Sequence, residues 1–182
     1  MRADAKRNRD RLVEVAREIF REQGYDAPLD EVAKRAGVGP GTLYRHFPTR
    51  ENLIDAVMQA WVDQVNEAAD KALTHEGGPR ERLMAWFEDY TDRLRSHRGS
   101  AAKITAALGD ESSPIAGKCQ IYSAANARVV ETLREEGAVR DGVDALQVLR
   151  LVGGVATVAD QGSLPADAVR PMLEVVADGV LR

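Results

Sequence analysis

Thr42, Tyr44, Arg45, His46 and Arg50 crowd hydrogen-bond donors into one short stretch of a 182-residue chain. None of them forms a nucleophile–base set. What such a group does well is hold phosphate oxygens and the acceptor edges of bases. An arginine such as Arg45 can donate two parallel bonds to guanine, worth about 1–3 kcal/mol of discrimination against the wrong base. Tyr44 carries its hydroxyl on a rigid ring, and Arg50 stands at a helix start from which it can reach a phosphate. The rest of the chain offers little reactive chemistry. His46, His75 and His97 are scattered, no Glu-x-x-His pair occurs, and the spacing assembles neither paired carboxylates nor a metal set. Neither enzymatic activity nor a bound metal or other cofactor is expected.

Two short helices must position these donors. Leu29, Val32, Ala33 and Ala36 fall at i, i+3, i+4 and i+7, the apolar face of a first helix. Gly37 follows where a helix ends in a left-handed residue, a conformation that glycine adopts without steric cost. Val38 plugs the corner, and the fixed φ of Pro40 suits the first turn of a second helix. In that helix Leu43 and Phe47 sit four apart and face inward, which leaves the donors outside. Two helices joined by a tight turn, the second polar and cationic, form the helix-turn-helix pattern that enters a DNA major groove. A half-buried packing role for Tyr44 and a core or capping role for His46 are the structural alternatives.

From Gly24-Tyr25 to Leu53 the chain resembles the DNA-binding domain of the tetracycline-repressor (TetR) family of bacterial regulators. The matching residues are Ala16 and Phe20 in a preceding helix, Gly24-Tyr25, Val32-Ala33, and Ala36-Gly37-Val38 across the turn. Gly41, Leu43-Tyr44, His46-Phe47 and Leu53 complete the set. The resemblance implies a sequence-specific transcriptional regulator, a repressor, that binds a palindromic operator in double-stranded DNA as a homodimer. It also implies release by a small apolar or aromatic effector; the alternative is a helical dimerisation or partner-binding protein without a ligand switch. Pro40, Gly41, Thr42 and Arg45 would lie nearest base edges, and Tyr44, His46 and Arg50 on phosphates. Lys6, Arg7 and Lys34 would add cationic contacts. One departure stands out: the Ser or Thr that usually caps the helix before Leu29 is replaced by Ala27-Pro28. Backbone N–H groups at that helix start can still face an anion. Asp30 and Glu31 oppose one there, and Lys34 and Arg35 compensate from the next turn.

The charge distribution fits one end meeting phosphate. Residues 1–50 carry 11 Lys/Arg against 8 Asp/Glu, a net of +3, and the remainder carries 14 against 21, a net of −7. A difference of this size is also ordinary scatter, so charge alone decides nothing. The single cysteine, Cys119, excludes an intramolecular disulfide framework and a cysteine-based zinc cluster. The N-terminus is charged and lacks the apolar core of a secretory signal. The longest uncharged run, Leu151 to Ala159, is too short to span a bilayer, and a cytoplasmic protein without membrane contact is expected.

Everything else reads as helix, so the expected fold is all-α with about nine helices. A first helix is expected over Arg7–Gln23 behind a basic arm of Arg2, Lys6, Arg7 and Arg9. Thr49 should cap a fourth that continues towards Leu73. Gly77-Gly78-Pro79 breaks the chain before a fifth ending near Ser96. His97 to Ser100 reads as a turn, Ala101 to Leu108 as a sixth helix, Pro114 to Glu136 as a seventh, and two more end near Asp160 and Leu181. The boundary between a three-helix DNA-binding domain (1–56) and a helical effector-binding and dimerisation domain (57–182) should fall inside helix four, near Val57 to Trp61.

In the second domain Trp61, Val65, Trp86, Phe87, Tyr90, Ile121 and Tyr122 either wall an effector cavity or simply fill the core. Cys119, His97 and Gln120 are candidate polar anchors for a ligand. Leu146, Leu149, Val152, Gly153 and Ala156, with Val169, Leu173, Val176 and Val180, form two apolar stripes on the last two helices. Family members dimerise through those helices. The expected interface is therefore Leu149, Val152, Gly153, Ala156, Val169, Leu173 and Val176, with Gly153-Gly154 kept for close backbone approach. Two-fold symmetry would then set the reading helices about 34–36 Å apart, one DNA turn.

Overall fold

A computed structural model of the chain describes residues 2–24, 26–96, 99–113 and 115–182. Among these, the extended secondary structure is entirely helical: α1 Arg2–Gln23, α2 Leu29–Ala36, α3 Pro40–His46, α4 Arg50–Leu73, α5 Pro79–Arg95, α6 Ser100–Ala107, α7 Ala116–Glu135, α8 Ala145–Gln161 and α9 Ala166–Val180. The all-α architecture is the expected one. Expectations resting on Tyr25, His97 and Pro114 lie outside the described residues, as do the side chains of Arg2 and Arg21. The chain divides into two compact units, Met1–Gln64 and Val65–Arg182, and the division falls within α4.

In the first unit α1, α2 and α3 pack around Leu12, Ala16, Ile19, Phe20, Val32, Leu43, Phe47 and Leu53, all buried. The turn between α2 and α3 forms for the expected reason. Gly37 sits at φ 71°, its N–H donates to the Lys34 carbonyl at 3.1 Å, and the Val38 N–H donates to the Ala33 carbonyl at 3.0 Å. Carbonyls left without helical partners are thereby satisfied. Thr49 caps α4 reciprocally. Its hydroxyl accepts from the Asn52 N–H at 3.2 Å, and the Asn52 side chain accepts from the Thr49 N–H at 3.3 Å. One expectation needs correcting. α1 begins at Arg2 rather than Arg7, so the basic arm is itself helical. Asp4 and Arg7 pair one turn apart and support that extension.

In the second unit α8 is the hub and packs against α5, α6, α7 and α9. The Asp144 carboxylate caps it by accepting from the Gln147 N–H at 2.9 Å. A Cβ added at Gly153 would lie 2.5 Å from the Thr105 hydroxyl oxygen, so only glycine lets α8 run this close to α6. The neighbouring Gly154 faces open space. The chain closes on an isolated antiparallel bridge between Val139 and Leu181. There the Arg140 N–H donates to the Val180 carbonyl and the Arg182 N–H to the Ala138 carbonyl, each at 2.9 Å. No helix among the described residues is long and apolar enough to cross a membrane.

Candidate nucleic-acid interface

α3 is a seven-residue helix with a single buried side chain, Leu43, and Phe47 follows it into the core. Everything else on it faces outward. Gly41, Tyr44 and Arg45 are exposed, and Thr42 and His46 are half-buried. Tyr44, at 48% exposure, is not a packing residue of its own unit. Arg45 and Lys34 have no hydrogen-bond or ion-pair partner among the described residues, whereas Arg7 is paired with Asp4. Gly41 has ordinary helical geometry, and a Cβ built on it meets nothing within 4 Å. Glycine costs about 1 kcal/mol relative to alanine within a helix, and nothing in the unit's own packing requires it here. The surface over Gly41 is open to whatever approaches α3.

The flanking charges are arranged less freely. Arg50 donates an N–H to the Ala27 carbonyl at 2.7 Å, which ties the start of α4 to the turn before α2. Pro28 occupies the α2 cap position and makes no side-chain cap bond, as its replacement of a hydroxyl residue implies. Arg35 binds Glu22 at 3.0 Å and Glu31 at 3.4 Å, so its charge is answered inside the protein. On α2, Lys34 is the cation left to meet a phosphate. One contributor was not foreseen: the Arg9 guanidinium lies 5.3 Å from the centroid of the Phe47 ring, a cation–π contact that pins the start of α1 over the end of α3. It joins residues 38 apart in sequence, and no spacing pattern signals it.

In the second unit Trp86, Phe87 and Tyr90 are fully buried, Tyr122 nearly so, and Ile121 half-buried. Trp86 and Tyr90 stack with centroids 6.2 Å apart, and Tyr122 meets Tyr90 edge-on at 4.9 Å. The Trp86 indole N–H donates to Asn126 at 3.0 Å. The Tyr90 hydroxyl is buried with no hydrogen-bond partner. Burial pushes the Tyr122 phenol up to about 12 and the Tyr90 phenol higher still, so both remain neutral. Burial also raises the Cys119 thiol, which rests against the Ile104 carbonyl at 3.7 Å. Gln120 is exposed. Val65 is buried in this unit, while Trp61 belongs to the first and is half-buried.

The expected dimer residues require correction. Leu149, Val152, Gly153, Ala156, Val169 and Leu173 are buried against helices of their own protomer and are not available to a second copy. Of that set only Val176 is partly exposed. Gly153 serves the α6–α8 approach instead. The apolar side chains that do face outward on α8 and α9 are Leu151, Val158 and Val175, at 58%, 52% and 73% exposure.

Comparison with known proteins bears on both units. Residues 12–57 match the family model for bacterial regulatory proteins of the tetR family. Residues 78–182 match that for the C-terminal domain of SbtR-like transcriptional regulators. The chain is 31% identical to a TetR transcription regulatory protein from Mycobacterium vanbaalenii, with a TM-score of 0.63 over 100% of this chain and 99% of that one. A TetR transcriptional regulator from Streptomyces coelicolor is 30% identical, with a TM-score of 0.60 over 95% and 98% of the two chains. An HTH-type transcriptional regulator of Staphylococcus aureus strain USA300 is 44% identical over 64 residues. That match spans 35% of this chain and 35% of the relative.

Proposed function

The chain belongs to the TetR family of bacterial regulators, and from that premise we propose that it is a cytoplasmic transcriptional repressor binding a palindromic operator as a homodimer. The observation that carries this reading is α3, whose Gly41, Thr42, Tyr44 and Arg45 face outward with no service to their own fold. Arg45 reads a base, Tyr44 and His46 hold phosphates, and Lys34 supports them from α2. Lys6 and Arg7, on the first turns of α1, add positive charge. Arg50 positions the turn before α2 through the Ala27 carbonyl and presents its remaining donors to the backbone of the DNA.

Dimerisation is assigned to α8 and α9 through the outward residues Leu151, Val158 and Val175. Isolated apolar side chains on a surface are ordinary, but Leu151 and Val158 lie two turns apart on one helix face. Gly154 opens onto the same side of α8 and permits a close-packed helix.

The effector would act within the aromatic cluster, where the unpartnered Tyr90 hydroxyl offers it a hydrogen bond. A hundredfold loss of DNA affinity requires the effector to prefer the released state by about 2.7 kcal/mol. The close ring packing around Trp86, Tyr90 and Tyr122 favours a second reading, a dimerisation module with a filled core and no switch.

Operator fragments selected by the purified protein from random duplex DNA supply the test. Binding should weaken steeply with salt, as phosphate contacts require. Arg45→Ala should relax base preference at one position per half-site by about 1–3 kcal/mol, while Tyr44→Phe should weaken binding evenly across sequences. Unchanged affinity and discrimination in both variants would remove α3 as the reader. Quenching of Trp86 fluorescence together with DNA release by an aromatic metabolite would establish the switch. A broad screen with neither response leaves the dimerisation module.

A further inference from the structure

A cavity of about 300 Å³ lies between α5 and α9, away from the aromatic cluster. Its floor is apolar, formed by Ala166, Val169 and Leu173. Thr91 is part of its wall, only 1% exposed, and its hydroxyl has no hydrogen-bond partner. A threonine inside a helix commonly bonds back to the carbonyl one turn earlier, and this one does not. An orphaned buried hydroxyl beside an open cavity marks a place where a polar ligand atom would be satisfied.

The charges around the cavity indicate which kind of atom. Three carboxylates and two guanidiniums line it. Arg170 pairs with Glu88 and with Glu174, and Arg95 donates to the Leu164 carbonyl. Asp92 on α5 and Asp167 on α9 remain, with no hydrogen bond or ion pair to any described residue. Both are acceptor-only groups at neutral pH and call for a donor. An anionic ligand would meet guanidiniums already engaged and carboxylates that repel it. A hydrated metal ion would gain nothing from the apolar floor, and no group of three ligating side chains among the described residues surrounds one.

We propose that this α5–α9 cavity is a binding site for a small organic ammonium compound with a short branched apolar tail. The ammonium lies between Asp92 and Asp167 and donates to the Thr91 hydroxyl, and the tail rests on Val169 and Leu173. The site is separate from the DNA-reading surface, so binding is measurable without DNA, and its failure leaves the regulatory reading untouched.

Methyl NMR of the full-length protein, titrated with isoamylammonium chloride, tests the proposal, with 4-methylpentanoate as the anion of similar shape. Saturable shifts of the Val169 and Leu173 methyls are expected with the ammonium and not with the carboxylate. Asp92→Asn combined with Asp167→Asn should weaken binding about tenfold or more, since each carboxylate removed takes a charge-assisted hydrogen bond with it. Both positions are exposed, so the fold should tolerate the change. Thr91→Val keeps the side-chain shape and should weaken binding severalfold with unchanged helical content. The proposal is overturned if the ammonium gives no saturable shift, if the carboxylate binds equally well, or if the double asparagine variant keeps full affinity.

Discussion

α3 and α8 are both helices with one face left over after their own unit is packed, and the two faces differ in kind. α3 buries Leu43 and turns Tyr44, Arg45 and the open backbone at Gly41 outward. α8 buries Val148, Leu149, Val152 and Ala156, yet also turns Leu151 and Val158 outward. A polar cationic face stays solvated while it waits and gains by exchanging counterions for phosphate. An apolar face gains by removing surface from water, at about 25 cal/mol per Å² buried. The leftover face thus identifies the class of partner, nucleic acid for one helix and protein for the other.

The sharpest way to break this comparison is a single charge placed two residues apart on α8. Leu149→Glu puts an unpaired carboxylate into the protomer core and should destabilise it by more than about 4 kcal/mol, enough to unfold a marginal domain. Leu151→Glu, combined with Val175→Glu, should leave circular dichroism and the urea midpoint of the protomer intact while light scattering reports dissociation. Operator affinity should fall by about 10²–10⁴ because the second half-site no longer binds intramolecularly. If Leu151→Glu unfolds the chain and Leu149→Glu does not, the two faces of α8 have been assigned the wrong way round.

A smaller effect separates the adjacent glycines. Gly153→Ala drives a methyl group into Thr105 and should cost about 1–3 kcal/mol in urea unfolding, the usual penalty for overpacking. Gly154→Ala meets open space and should stabilise the protomer by about 0.5–1 kcal/mol through helix propensity alone. A dimer weakened by Gly154→Ala would show a partner's backbone closing on that position.

The smallest effect belongs to the first unit. Arg9→Ala removes the cation–π contact to Phe47 and should cost about 0.5–1 kcal/mol. Thermal unfolding at high salt would distinguish it from a general loss of positive charge, because ring contact survives screening better than exposed ion pairs do.

These contrasts also mark how far the residues alone could be read. The helices and breaks followed from periodicity with Gly37, Gly77-Gly78-Pro79 and Pro165, because glycine and proline act locally and leave their mark in the chain itself. The outward donors of α3 were legible because Leu43 and Phe47 define the inner face unambiguously. On α8 the same logic fails. Val148, Leu149, Leu151, Val152, Val155, Ala156 and Val158 surround the helix with apolar side chains. A helix apolar all round shows only that it will be covered, not which side its own protomer covers. Contacts such as Arg35 with Glu22 and Arg9 with Phe47 depend on tertiary placement, and no spacing announces them. Nor does composition distinguish aromatic rings that wall a cavity from rings that fill a core, since both demand the same residues.

The bridge between Val139 and Leu181 bears on how α9 moves. The last turn of a helix ordinarily frays, opening and closing at little free-energy cost. Here the end of α9 is tied by the bridge, by Arg140 to the Val180 carbonyl, and by Arg182 to both the Val139 carbonyl and Asp141. Opening that turn means unlatching the segment between α7 and α8 as well, so the amides of both should exchange together and slowly. A helix already still before its partner arrives surrenders little freedom on docking. Association through α9 should therefore carry a small entropic penalty and survive high dilution, and the two reading heads would travel as one body even at the few copies in which a regulator is often present.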